Sequence, residues 1–168
     1  MTPLQLPGAP SLAYDASNQL RVDGVSVADL AREHGTPLFI YSKATMLRAL
    51  QAYQQGFAGR NALICFAMKA NSTLAVLQVF AQAGCGFDIV SGGELERALA
   101  AGADPARIIF SGVGKKRAEM RQALQAGIGC FNVESIHELH VLNEVAVDMG
   151  CQAPISIRVN PNVDARTH

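Results

Sequence analysis

The sequence predicts an α/β fold: a partial (β/α)8 TIM-type barrel of about five strand-helix units, preceded by a short N-terminal extension. Three observations lead there. From Ala62 onward, short apolar runs alternate with helical patterns, as parallel strands joined by crossover helices do. Lys69, Ser91, Ser111 and Glu134, which close successive units, follow one another at intervals of 20 to 23 residues. Spacing this short and even favours successive barrel units over a doubly wound sheet with a long switch connection, although periodicity alone leaves the strand order open. The third observation is length. A closed barrel takes about 250 residues, so the 168 residues here read as a piece of a longer protein. Its open edge strand and half-covered core are expected to make it poorly soluble alone.

The elements follow in order. The Pro-rich start up to Pro10 reads as a loose or extended terminus. "LAYDASNQLRVDGVSVADLAREHG" mixes short extended pieces with a helix over Ser26 to His34, closed by Gly35. Pro37 to Tyr41 is an extended piece, and Ser42 can cap the helix after it. The regular part begins with "ALICFAMKA", then a helix with Leu74, Leu77 and Phe80 on one face. "GFDIVS" and a helix facing inward through Leu95, Ala98 and Leu99 come next. "RIIFSG" leads to "KRAEMRQALQAG", and "CFNVES" to a helix in which Ile136, Leu139, Leu142, Val145 and Met149 recur at helical spacing. "PISIRVNP" is the fifth strand. The division expected is an extension over 1–35 and an incomplete barrel over 36–168.

Composition bounds the function. The chain is 49% hydrophobic and 17% charged, and its 14 basic residues balance 14 acidic ones. Such a chain is globular, and its zero net charge points to no nucleic-acid partner. No apolar run approaches the roughly 20 residues that cross a bilayer, and the start lacks the pattern of a secretory signal. Cys65, Cys85, Cys130 and Cys151 form no C-x-x-C pair and each lies in an apolar segment, as free buried thiols would. A reducing cytoplasm and no membrane partner are therefore expected. "NST" at Asn71 is read as a chance sequon.

Parallel β/α architectures collect reactive groups at the C-terminal ends of their strands. Those positions are Lys69, Asp88 with Ser91, Ser111 with Gly112, Asn132 with Glu134, and Arg158 with Asn160. They are polar and varied where the strand bodies are apolar. Each has an ordinary reading beside the functional one. Ser91 with Glu94, and Ser135 with Glu138, fit a capping box. Asp88 within "FDIV" needs a hydrogen-bond or charge partner, structural or catalytic. Arg158 in a strand must meet an anion or several acceptors. Lys69 is either an amine desolvated in a dry pocket, available for Schiff-base chemistry, or a lysine that snorkels to solvent. His137 and His140 read as a wet helix face rather than a metal site. "GKKR" reads as a solvated helix start, and "SGVGKK" lacks the spacing of a phosphate loop.

"FAMKANSTLAVL", "GFDIVSGGELERALAAG", "IIFSGVGK", "FNVES" and "IRVNPNVDARTH" resemble, in order and at similar spacing, motifs of the diaminopimelate decarboxylase family. That family belongs to the pyridoxal-phosphate enzymes built on an alanine-racemase-like barrel. The resemblance runs from about Thr36 to His168. It implies pyridoxal 5′-phosphate as cofactor and Lys69 as the lysine that carries it. It also implies Asp88 and Arg158 as cofactor-binding residues, and places His168 near the active-site mouth without a role. The implied reaction converts meso-diaminopimelate to L-lysine, with a small-molecule amino-acid substrate and a homodimer as the full-length assembly. A barrel enzyme acting as another amino-acid decarboxylase or a racemase, or a non-catalytic pyridoxal-phosphate-binding homologue, fits the same residues. The residues through about His34 resemble an extension that family members pack into a separate C-terminal β-domain. The family's phosphate-binding loop and its substrate-binding arginines and tyrosines belong to later strands, so the 168 residues alone are expected to be inactive.

Overall fold

The structure, a computed structural model, describes residues 12–163; the Pro-rich start lies outside them. The chain divides between Ala62 and Leu63 into two compact units. The boundary at 35/36 read from the sequence falls inside the first of them.

In the first unit, β1 (Leu12–Tyr14), β2 (Leu20–Val22) and β3 (Val25–Ser26) form an antiparallel sheet in that order. Asp15 shapes the β1–β2 turn by accepting from the amides of Ser17 at 2.9 Å and Gln19 at 3.0 Å. Asp23 and Gly24, both at positive φ, make the two-residue β2–β3 turn, a conformation that Asp-Gly adopts readily. Helix α1 (Val27–His34) starts where Ser26 Oγ accepts from the Asp29 amide at 3.2 Å, and it ends at Gly35 with φ of 80°. Helix α2 (Lys43–Gly56) starts in the same way, Ser42 Oγ accepting from the Thr45 amide at 3.0 Å. Both caps lie where Ser and Gly predict them. Residues 37–41 pair with no described strand, but their exposure alternates as in an extended segment, with Leu38 and Ile40 half-buried and Phe39 and Tyr41 exposed.

The second unit carries the five expected strands: β4 (Cys65–Ala67), β5 (Gly86–Ile89), β6 (Ile108–Phe110), β7 (Cys130–Val133) and β8 (Ile155–Ile157). All pairs are parallel and the order is β4-β5-β6-β7-β8. That order decides between the two architectures. A doubly wound sheet reverses direction at a switch point, whereas here every strand adds beside its predecessor, as in a barrel wall. Crossovers of one hand then lay α3 (Leu74–Gln82), α4 (Gly92–Ala100), α5 (Arg117–Ala126) and α6 (Ile136–Asp148) on one face.

Strand residues alternate accordingly. Phe87, Ile89, Ile108, Phe110 and Phe131 are fully buried under the helices, each contributing roughly 1.5–3 kcal/mol of apolar burial. Leu77, Leu95, Ala98, Met120, Leu142 and Val145 meet them from the helices. The Phe66 and Phe80 rings stack at 4.4 Å, fixing α3 on β4. On the opposite face Ala67, Asp88, Ile109, Cys130 and Asn132 are only half-buried, because five strands in this order form one wall and not a closed ring.

Three packing expectations change. Leu74 and Ile136 head their helices and are exposed, Ile136 by 76%; helical spacing puts them in the stripe, but the first turn projects past the strand ends. The cysteines are free, yet Cys85 alone is buried, Cys65 and Cys130 are half-buried and Cys151 is exposed. Strand β8 is exposed throughout, since it forms the sheet edge. No described helix is long and apolar enough to cross a membrane.

Candidate active site

Strand β4 delivers Lys69 through a single 3-10 turn, Met68–Ala70. Met68 is buried and anchors the turn. Asn71 Oδ1 then accepts from the Thr73 amide at 2.9 Å, a side-chain turn that stops the 3-10 hydrogen bonding and lets α3 begin at Leu74. Between these anchors Lys69 is exposed, with no hydrogen-bond or ion-pair partner among the described residues. The dry pocket expected around its amine is therefore not formed by these five strands, which make one wall and not a closed ring. Of the two readings in the sequence, the lysine here follows the solvated one, at the strand-end position both readings share.

Asp88 lies on the neighbouring strand, β5. The β4–β5 register sets Ala67 opposite Asp88, so the turn bearing Lys69 leaves the sheet next to that carboxylate. Asp88 Oδ1 accepts from Ser111 Oγ at 2.5 Å, and Ser111 Oγ accepts from Asn132 Nδ2 at 2.9 Å. Three consecutive strand ends are thus joined by one side-chain chain that ends on a carboxylate. Below it, Cys65 is no competing nucleophile: burial first, then the neighbouring Cys85 and Asp88, push its thiol up to about 11.

Arg158 and Glu134 form the next layer. Arg158 Nη1 donates to Glu134 Oε2 at 2.6 Å, and the Gly112 amide donates to Glu134 Oε1, also at 2.6 Å. Burial pushes the Glu134 carboxyl up, but the Gly112 amide, the Arg158 guanidinium and Lys115 outweigh it and hold the group below its ordinary value. The guanidinium does meet an anion as expected, but it lies beyond an edge strand and its side chain is 67% exposed, while Glu134 is 6% exposed. With Ser111, Asn132 and Ser156 the pair lines a recess of about 270 Å³. His168 lies outside the described residues.

Two residues read as ordinary turn out otherwise. Lys115, placed by its sequence in a solvated helix start, has a side chain that is 0% exposed. Its Nζ donates to Gly112 O at 2.7 Å, Asn132 O at 2.8 Å and Glu138 Oε1 at 2.7 Å. The run of charges hides this, since nothing in "GKKR" marks which lysine turns inward. Glu138 is a capping residue and a buried ion-pair partner together. Its amide donates to Ser135 Oγ at 3.1 Å, and Oε2 accepts from the Glu134 amide at 3.3 Å. Glu94 caps in the same manner, accepting from the Val90 amide at 2.7 Å. His137 and His140 are exposed on α6.

The chain is 56% identical over 155 residues to the diaminopimelate decarboxylase of Vibrio cholerae, covering 92% of this chain and 37% of that one. Among solved structures, the diaminopimelate decarboxylase of M. jannaschii superposes with a TM-score of 0.89 at 34% identity, over 97% of this chain and 39% of that one. That of Helicobacter pylori, complexed with L-lysine, gives a TM-score of 0.81 at 47% identity, over 84% of this chain and 36% of that one. The chain thus spans well under half the length of the relatives it matches. With Lys69, Asp88, Ser111 and Arg158 all inside the matched stretch, residues 43–168, the chain belongs to the pyridoxal-dependent decarboxylases, through their pyridoxal binding domain.

Proposed function

We propose that the full-length protein decarboxylates meso-diaminopimelate to L-lysine with pyridoxal 5′-phosphate, as a cytoplasmic homodimer, with Lys69 as the residue that carries the coenzyme. The observation that carries this reading is the pairing of Ala67 with Asp88. It puts the turn that bears Lys69, whose amine has no protein partner among the described residues, at a strand end next to the one that carries Asp88. The names of relatives at 56% and 47% identity direct the choice of substrate.

The residues present fit the reactive end of the coenzyme. Schiff-base formation requires an accessible amine, and Lys69 is exposed, with Nζ neither bonded nor ion-paired within the described residues. On the open face, the strand position just before the turn is Ala67, whose small side chain is only half-buried. Pyridoxal phosphate, when bound, supplies the electron sink for the carbanion left as carbon dioxide departs. Lys69 Nζ, a primary amine on a short turn anchored at both ends, can hold or deliver a proton. Asp88 has one oxygen fixed by Ser111 and the other unbonded among the described residues, so it offers a directed acceptor. Arg158 adds positive charge at the same rim with most of its guanidinium open. The openness of this face in the 168-residue chain supports the further proposal that this length alone turns over no substrate, since water is excluded from neither amine nor carboxylate.

The test uses the full-length protein. Reduction with borohydride in the presence of pyridoxal phosphate, followed by peptide mapping, is expected to label Lys69; a label elsewhere, or none, removes the assignment. Carbon dioxide release is expected from meso-diaminopimelate and not from L-lysine or L-ornithine, and Lys69→Ala is expected to abolish it.

A further inference from the structure

We propose that Lys115 is a positioning residue for the strand-end site, holding Ser111, Asn132 and Glu134 in register through its buried pair with Glu138; this rests on the decarboxylase reading above. An ammonium has three protons, and here all three are used. They go to the Gly112 carbonyl after β6, the Asn132 carbonyl on β7 and Glu138 Oε1 in the first turn of α6. The face of the Phe110 ring, 5.7 Å away, closes the apolar side. With a fully covered side chain and no spare donor, Lys115 is available neither as a nucleophile nor as a ligand.

What it grips is the polar rim rather than the core. Gly112 follows Ser111 directly, and its φ of +101° is one that side-chain-bearing residues rarely adopt. That turn presents the Gly112 carbonyl to Lys115 and the Gly112 amide to Glu134. Asn132, gripped by its carbonyl, donates its side-chain amide to Ser111, which in turn holds Asp88. Glu138, the third acceptor, takes the Glu134 amide on its other oxygen, and Glu134 bears Arg158. One ammonium thus closes a ring of hydrogen bonds through Gly112, Glu134 and Glu138, and grips Asn132 beside it.

Capping does not explain the lysine. Glu119 already accepts from the Lys116 amide at 2.9 Å at the start of α5, and Ser135 serves α6. Net stability is a weak explanation too, because a buried ion pair replaced by apolar residues of similar size is often no less stable. What an apolar pair cannot do is fix two carbonyls and an amide at defined positions.

That difference is the test, made on the full-length holoenzyme. Lys115→Met alone leaves Glu138 buried and unpaired, and is expected to lower Tm. The double change Lys115→Met with Glu138→Leu is expected to regain Tm relative to Lys115→Met. Its kcat per borohydride-trapped Lys69 is expected to stay on the order of ten- to a hundredfold down, as for a misplaced site, with a weakened coenzyme Kd measured by absorbance titration. Arg121→Ala, which removes an exposed ion pair with Asp148 on the same two helices, is expected to leave both unchanged. If kcat and Kd return together with Tm in the double variant, Lys115 is structural only and the proposal is overturned. If the double variant fails to fold, Lys115→Met decides: an unchanged kcat per trapped Lys69 overturns the proposal and a reduced one supports it. Absence of any Lys69 label in the unaltered protein defeats the decarboxylase reading itself, and the role given to Lys115 with it.

Discussion

Ser111 Oγ lies 2.5 Å from Asp88 Oδ1 and donates to it, so the end of β6 is bound to that of β5 through a carboxylate on the open face of the sheet. The hydroxyl is also the acceptor for Asn132, which leaves Ser111 with both roles filled. Neither neighbour has a second route to the other.

Ser111→Ala is therefore expected to strand the Asn132 amide and free one Asp88 oxygen. The groups are half-buried, so the expected cost is about 1 kcal/mol, read from the urea midpoint of the full-length protein. Coenzyme affinity is expected to fall as well. An unchanged midpoint together with unchanged affinity means the chain of bonds joins nothing of consequence.

The Glu134 carboxyl is held below its ordinary value of 4.5. Its stabilisation is thus complete above the value of the unfolded chain and is lost as pH falls through the lower, folded one. Glu134→Gln is expected to be less stable than the unaltered protein at neutral pH, the gap narrowing below pH 4.5. Denaturant midpoints across that window check this; a constant gap contradicts it. Arg158→Met, which removes an exposed partner, is expected to cost at most about 1 kcal/mol while moving the onset of this acid loss upward.

Gly129 sits where the chain enters β7, and a Cβ placed there meets the Ala106 carbonyl oxygen at 2.3 Å. The obstacle is backbone of the turn Pro105–Arg107, to which Gly129 also donates its amide, so no side chain can swing aside. Gly129→Ala is expected to destabilise by about 1–3 kcal/mol. Gly114→Ala, with nothing within 4 Å, is the matched control and is expected to be neutral. Equal melting temperatures for the two variants contradict the contact.

Much of the local structure was legible because it depends on neighbours in sequence. Ser26, Ser42, Ser91 and Ser135 cap helices where they stand just before an apolar periodic run, each accepting the amide three residues on. The apolar runs around Phe66, Phe87, Phe110 and Phe131 became strands for the same reason, having too many β-branched and aromatic residues packed too briefly to be helices. The rim residues were legible as well, since parallel strands expose polar groups only where they end. Lys115 was not legible, because a lysine is buried only when acceptors from three separate segments converge on it, and no window of sequence contains them.

By itself, then, the sequence determined the elements, their caps, and the order in which Lys69, Asp88, Ser111, Asn132 and Arg158 reach the strand ends, since each depends on residues a few positions apart. Tertiary structure alone decided the order of the strands, the exposure of Lys69 on an open face, the turning inward of Lys115 rather than Lys116, and the anion that Arg158 meets. These rest on atoms brought together from positions 20 or more residues apart, whose distances depend on how strands pair and which face the helices cover.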